Sequence, residues 1–282
     1  MARNIVAITG ASSGIGAAFA RKLAATHDLI LIARRRDRLQ GLASEFSDAH
    51  GTNTEILEAD LTLEADIARV AEHIGADPRL VLLVNNAGFG TRGRFWDVPL
   101  EAQQQMHRLH IMATLQLTHA ALRNMVPRDY GAIINVASVS AFVRVPGTVS
   151  YASTKTWMTT FTEGIYLELK SAHSNVVVQA LCPGYTYSEF HETLGVQRET
   201  LGSPALWMPA EEVVDASLAG LGRRKLFVVP GWRYRLFTAF VSKLPSALRL
   251  QLQAASGKAR SRQLELTVQV PATAKLPPPD RT

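Results

Sequence analysis

The chain has 282 residues, 47% of them hydrophobic, enough to bury a large core as one α/β domain. A single cysteine, Cys182, excludes an internal disulfide framework and leaves no cysteine cluster for a metal, which suits a reducing compartment. The formal charge of +6 is uneven: residues 222 to 282 hold 12 Lys/Arg against 2 Asp/Glu, a net of +10, and the rest hold 18 against 22, a net of −4. The basic character therefore lies in the tail, and the body shows neither the basic groove nor the stacking aromatics of a nucleic-acid binder.

In chain order, short apolar runs alternate with longer amphipathic stretches. "NIVAIT" (Asn4 to Thr9), "DLILIAR" (Asp28 to Arg34), "TEILEA" (Thr54 to Ala59), "LVLLVN" (Leu80 to Asn85), "AIINVA" (Ala132 to Ala137), "VVVQAL" (Val176 to Leu181) and "KLFVVP" (Lys225 to Pro230) predict buried strands. Between them Ile15 to Ala25, Arg38 to His50, Ala65 to Ile74, Ala102 to Met125, Tyr151 to Ala172 and Glu211 to Leu221 predict helices. This alternation predicts right-handed βαβ crossovers and an α/β fold, a doubly wound parallel sheet of about seven strands with helices on both faces. The opening "MARNIVAITG" has no apolar leader or cleavage site, so a core strand is expected almost at once and a cytoplasmic location with it.

The first strand runs into "TGASSGIG", where Gly10, Gly14 and Gly16 stand at the mouth of the first helix. Glycine lets the backbone turn tightly and approach a pyrophosphate, whose charge is met by free N–H groups at the helix N-terminus. Strand, loop and helix in this order favour a Rossmann-like dinucleotide site over a ligand-free turn. Gly10, Ser12, Ser13, Gly14, Ile15 and Gly16 are its candidate contacts. The second strand then ends in "ARRRDR". An NAD(H) site places a carboxylate there for the ribose 2′-hydroxyl, whereas Arg34, Arg35 and Arg36 suit a 2′-phosphate, so NADP(H) is expected ahead of NAD(H), with Asp37 competing for one arginine. Farther on, "YASTK" sets Tyr151 and Lys155 one helical turn apart on one face, a spacing that is weak evidence taken alone.

Six motifs together resemble the classical short-chain dehydrogenase/reductase family: "TGASSGIG" (9 to 16), "ADL" (59 to 61), "NNAG" (85 to 88), the serine of "NVASVS" (135 to 140), "YASTK" (151 to 155) and "PG" (183 to 184). They occur in the family's order, over about residues 4 to 230. The resemblance implies a catalytic set of Ser138, Tyr151 and Lys155. A hydride moving between nicotinamide and a carbonyl carbon leaves charge on oxygen, so an acid must reach that oxygen. Tyr151 is that acid in reduction, its phenol expected to be lowered from ~10 by the Lys155 ammonium and the oxidised nicotinamide. Lys155 is expected to bond the nicotinamide ribose, and Ser138 to donate to the same substrate oxygen as Tyr151. By the same resemblance Asp60 and Leu61 flank the adenine, Asn86, Ala87 and Gly88 line the cofactor, and Pro183, Gly184 and Thr186 bracket the nicotinamide.

One position departs from the family. An asparagine is usual in a segment resembling "VNVxA" of the fourth helix, where it bends the helix and passes protons from the lysine to water. This chain reads "LHIMA", with His110 in its place. Either the histidine is a packed polar side chain, or a neutral imidazole, donating at one nitrogen and accepting at the other, keeps the water chain running.

The loop after "PG", roughly Tyr187 to Met208, is expected to form a lid, with Tyr187, Phe190, Leu194, Leu201 and Trp207 making a mostly apolar pocket. Phe89, Phe95 and Trp96 either add a wall to it or pack a long loop. Hydrophobic ketones, aldehydes or secondary alcohols are the expected substrates. The alternative is a non-catalytic NADP(H)-binding scaffold or redox sensor, hinted at by residue 110 and opposed by the intact Ser138, Tyr151 and Lys155. A homodimer or homotetramer is expected, and no metal. Residues 1 to 230 read as the dinucleotide-binding and catalytic domain, 231 to 263 as a basic amphipathic helical extension and 264 to 282 as a mobile tail. In the extension Leu236, Phe240 and Leu244 form a stripe broadened by Phe237 and Val241, while Pro245 breaks the helix and no run reaches the ~20 apolar residues that span a bilayer. Packing over the substrate mouth or a dimer partner is favoured over peripheral contact with an anionic membrane.

Overall fold

The apolar runs become the strands of one sheet in a computed structural model, which describes residues 3–189, 204–245, 247–251 and 253–254. They are β1 (Ile5–Thr9), β2 (Asp28–Ala33), β3 (Thr54–Glu58), β4 (Leu80–Asn85), β5 (Ala132–Val136), β6 (Val177–Leu181) and β7 (Phe227–Val228). All seven pair in parallel, in the order β3-β2-β1-β4-β5-β6-β7. Every residue of β1 and of β4 is buried, as central strands covered on both faces require, and this is why they read as unbroken apolar runs.

Among the described residues the helices that surround the sheet include α1 (Gly14–Ala24), α2 (Arg36–His50), α3 (Glu64–Ala76), α4 (Leu100–His107), α5 (Thr114–Met125), α6 (Val149–Ser171), α7 (Ala210–Gly222) and α8 (Trp232–Lys243). On one face α1, α2 and α7 bury Phe19, Leu23, Leu39, Phe46 and Val213. On the other, α3, α5 and α6 bury Ile67, Ile74, Leu117, Met125 and Leu169. The strand order reverses between β1 and β4, so the loops after these two strands part and leave a crevice at the carboxyl edge of the sheet.

Three elements differ from the sequence reading. The stretch expected as a single helix over 102 to 125 is α4 and α5 joined by a π-helical segment, Arg108–Ala113, with His110 inside it. Wide turns of this kind recur at functional sites. The last strand is two residues rather than six, because it sits at the sheet edge and is followed by Pro230, which has no N–H to pair, and by Gly231 at φ +80°. Finally, α8 packs by only one residue of the expected stripe: it buries Val241 with Tyr234 and Thr238, while Leu236 and Phe240 are 64% and 61% exposed. Among the described residues no helix is long and apolar enough to cross a membrane. Phe190, Leu194 and Leu201 of the expected lid, the end of the expected extension from 255 to 263, and the expected tail from 264 to 282 lie outside the described residues.

Candidate active site

The glycine loop is shaped by close approach. Gly10 and Gly14 take left-handed backbone at φ +65° and +54°. A Cβ at Gly10 would lie 2.8 Å from Ala87 Cα, and one at Gly16 would lie 2.3 Å from the Gly10 carbonyl oxygen. Thr9 ties this loop to the one after β4: its Oγ1 accepts from the N–H groups of Asn86 and Ala87, each at 2.9 Å, and donates to the Val84 carbonyl at 3.3 Å. The Asn86 amide returns a bond to the Thr9 carbonyl at 2.9 Å. The sequence reading passed over Thr9, whose only local signal is a polar residue ending an apolar strand. Ser13 precedes α1 without capping it through its side chain, so the first-turn amides of α1 face the crevice without that partner.

Of the three successive arginines, one turns into this loop. Arg35 donates from Nε and Nη2 to Ser12 Oγ at 3.2 and 2.9 Å, from Nη2 to Ser13 Oγ at 2.8 Å, and from Nη1 to Glu189 Oε2 at 2.8 Å. Arg38, from the first turn of α2, donates to the other oxygen of Glu189. Arg34 instead lies 3.8 Å from Asp60, and Arg36 3.7 Å from Glu58. Asp60 is itself fixed by Thr62, whose N–H and hydroxyl both donate to its Oδ1, at 3.0 and 2.8 Å, and Leu61 beside it is buried. Arg38 closes the "ARRRDR" run and Glu189 lies in the stretch read as a lid, but neither was singled out in the sequence.

Across the crevice stand Ser138, Tyr151 and Lys155. Ser138 follows β5 and accepts a bond from the Ser140 N–H at 3.1 Å, which fixes its hydroxyl at the start of a 3₁₀ turn. Tyr151 lies in the first turn of α6 and its phenol is hydrogen-bonded with Ser138. Lys155, one turn later, is buried, donates to the Val136 carbonyl at 2.8 Å and lies 5.8 Å from the centre of the Tyr151 ring. The phenol does not show the expected lowering. Burial pushes Tyr151 up to about 12, opposed by its bond with Ser138, and burial pushes Lys155 down to about 7. At each group the cost of taking its charged form out of water is the larger effect, opposed at Lys155 by the Cys182 thiol. Cys182 is a buried free thiol in the same interior, also raised by burial to about 12.

His110 packs behind this group. Its ring is edge-on to Tyr151 with centroids 5.9 Å apart, and Nδ1 lies 2.9 Å from Thr154 Oγ1. The Thr154 hydroxyl donates its proton to the Tyr151 carbonyl at 2.9 Å. The threonine must therefore accept from the histidine, which assigns the proton to Nδ1 and leaves Nε2 an acceptor. That acceptor is buried without a hydrogen-bond partner among the described residues and faces Gly88, where a Cβ would lie 2.7 Å from it. Burial, with smaller contributions from Lys155 and His107, holds the imidazole well below its usual pKa, so it is neutral.

The floor of the crevice is the loop after β6. The Pro183 carbonyl accepts from the Val139 N–H at 3.0 Å, and the Thr186 hydroxyl donates to the Gly184 carbonyl at 3.2 Å. Gly184 rests on the ring of Tyr234 from α8, so closely that a Cβ would lie 2.1 Å from the ring. The Tyr234 hydroxyl accepts from the Tyr185 N–H at 3.0 Å and donates to the Leu206 carbonyl at 2.9 Å. Tyr185 and Tyr187 pack on Trp207, each with ring centroids 5.3 Å away. Phe89 lies 6.4 Å from His110, whereas Phe95 and Trp96 are exposed.

Comparison with known proteins agrees with this arrangement. A family profile described as short chain dehydrogenase matches residues 4–199. The 3-oxoacyl-[acyl-carrier-protein] reductase FabG of Aquifex aeolicus is 31% identical over 193 residues, 66% of this chain and 75% of that protein. A short-chain dehydrogenase from Sphingobium yanoikuyae, solved in complex with NADPH, is 33% identical with a TM-score of 0.76, over 97% of this chain and 99% of that one. The bulky-bulky ketone specific alcohol dehydrogenase from Comamonas testosteroni is 27% identical with a TM-score of 0.72, over 98% of each chain. Fold, ordered motifs and relatives together establish that the chain belongs to the short-chain dehydrogenase/reductase family of oxidoreductases.

Proposed function

We propose that the protein is an NADP(H)-dependent oxidoreductase that interconverts a hydrophobic carbonyl compound and its secondary alcohol. The observation that carries this reading is the convergence of Ser138, Tyr151 and Lys155 on the crevice that the glycine loop borders. The residues suit a dinucleotide: Gly10 and Gly14 turn the loop at positive φ, Gly10 and Gly16 let it pack on Asn86 and Ala87 where a Cβ would collide, and Ser13 leaves the first-turn amides of α1 without a side-chain cap. Gly10 to Gly16, Asn86 to Gly88 and Thr186 would hold it, with Asp60 and Leu61 at the adenine. Bound nicotinamide supplies or takes up a hydride. Tyr151, protonated at neutral pH, gives its proton to the carbonyl oxygen, and Ser138 donates a hydrogen bond to the same oxygen. Lys155 holds the ribose and, when protonated, favours the phenolate that remains.

Two observations support the finer choices. Arg35, Arg38 and the hydroxyls of Ser12 and Ser13 form a donor set for a phosphate monoester rather than for a ribose hydroxyl. The aromatic Tyr185, Tyr187 and Trp207 beside Gly184 suit an apolar substrate, in line with relatives named for 3-oxoacyl and bulky ketone substrates. Titration with both cofactors tests the choice. NADPH is expected to bind at least about tenfold tighter than NADH, and Arg35→Ala to remove most of that ratio. A screen of NADPH consumption over aliphatic, acyl and steroid-like ketones then identifies the substrate; equal wild-type dissociation constants sink the cofactor assignment.

A further inference from the structure

The anion site at the end of β2 already holds an anion of the chain itself. Arg35 directs Nε and Nη2 to the Ser12 and Ser13 hydroxyls, and its remaining arm, Nη1, grips Glu189 at 2.8 Å. Arg38 grips the other carboxylate oxygen, so the two guanidinium groups clamp a single carboxylate. Ser12 and Ser13 accept from Arg35, and their own hydroxyl protons are directed to no acceptor among the described residues. Ser12, Ser13, Arg38 and Glu189 line one open cleft of about 690 Å³, which leaves the cluster accessible from solvent. The bonds from Arg38 and then Arg35 hold the Glu189 carboxyl down at about 2, so it is an anion at every working pH. Glu189 stands three residues after Thr186, in the loop expected to bracket the nicotinamide.

Resting on the cofactor reading above, we propose that Glu189 is the built-in competitor of the 2′-phosphate, and that NADP(H) displaces it from Arg35. Two anions cannot share this clamp without mutual repulsion. The Arg35 fork has one arm beyond those held by the serines, and a phosphate that takes it must release the carboxylate. NADH carries no charge at the ribose 2′ position and does not contest the clamp. Glu189 therefore weakens NADPH binding specifically, and sets the NADPH/NADH ratio below the one Arg35 alone would give.

The test measures dissociation constants of NADPH, NADH and 2′,5′-ADP by calorimetry on wild type, Glu189→Gln and Glu189→Ala, with unliganded melting temperatures as the control for folding. Both variants are expected to bind NADPH and 2′,5′-ADP about three- to tenfold tighter, the scale of one or two half-exposed ion pairs, with NADH changed less than about twofold. If the wild type prefers NADPH and neither variant gains affinity, Glu189 does not compete and the proposal fails while the cofactor reading stands. Looser NADPH binding in both variants also overturns it, since Glu189 would then be orienting Arg35 for the phosphate. Equal tightening for NADH overturns it as well, by showing that the effect is not at the 2′ position. A wild type that binds NADPH and NADH equally overturns the cofactor reading itself.

Discussion

Tyr151 and Lys155 occupy adjacent turns of one face of α6, and burial drives both toward their neutral forms. Tyr151→Phe removes one hydroxyl and little volume. Turnover is expected to fall by about 10²–10⁴, the usual worth of a general acid, with the NADPH dissociation constant changed less than about twofold; substantial reductase activity in the variant would move the proton-donor role to another residue. Lys155 gives a separate reading through stability. Its folded pKa is held at about 7, below the lysine value of 10.5, so between these values the unfolded chain binds a proton that the folded chain does not, and stability rises with pH. Tyr151 acts oppositely: raised from 10 to about 12, it contributes stability that is lost as pH climbs through that range. The urea midpoint of the wild type is therefore expected to climb from about pH 7 to 9, above which the raised Cys182 thiol offsets the slope, and that of Lys155→Met to climb less. Parallel profiles would show that the buried lysine is not the source of the slope.

At the scale of elements, the crevice is held by pieces distant in the chain. Gly184 needs to be glycine because α8 brings Tyr234 under it, and the Tyr234 hydroxyl bonds both the segment after Gly184 and the one before Trp207. Tyr234→Phe leaves the ring in place and deprives the Tyr185 N–H and the Leu206 carbonyl of their partner. The loss is expected to be about 1–3 kcal/mol in chemical denaturation, the usual cost of leaving such groups unpaired. A change below about 0.3 kcal/mol would mean that water takes over both bonds. The π-helical segment acts in the same structural way on the other wall, turning His110 inward so that Nδ1 meets Thr154 and Nε2 faces Gly88.

For the whole molecule, α8 presents an apolar side outward. Leu236, Phe237 and Phe240 are exposed on one side of it, with Trp232 at its start, and the segment from residue 222 onward carries the net charge of +10. Apolar side chains backed by this charge suit an anionic lipid surface, where each basic residue contributes about 1 kcal/mol at best. Co-sedimentation with phosphatidylserine-containing vesicles is expected to show weak binding at low salt that is lost at high salt and on removal of residues 231 to 282. Absence of binding at low salt, with a dimer in sedimentation equilibrium that the truncation dissolves, would make this face a contact between two copies instead.

Much of this protein was legible in its sequence, because strand alternation, the glycine loop and the Tyr151/Lys155 spacing are short-range patterns. Apolar runs bounded by turn residues specify strands, and β4 emerges at the boundaries read for it, Leu80–Asn85. What depended on neighbours did not show. Three successive arginines look alike in sequence, yet successive side chains at the end of a strand diverge, so that Arg35 reaches the serines while Arg34 turns toward Asp60. The stripe on α8 has the spacing of a buried face, but Tyr234, anchored to the loop after β6, docks a different one. The partner of Arg35 lies 154 residues away in sequence, and only the sheet order, which sets the β1, β2 and β6 loops along one edge, brings it there. Local patterning determined the elements and the chemistry each carries; tertiary packing decided which of these groups meet, because a side-chain contact across the sheet leaves no periodic trace in the chain.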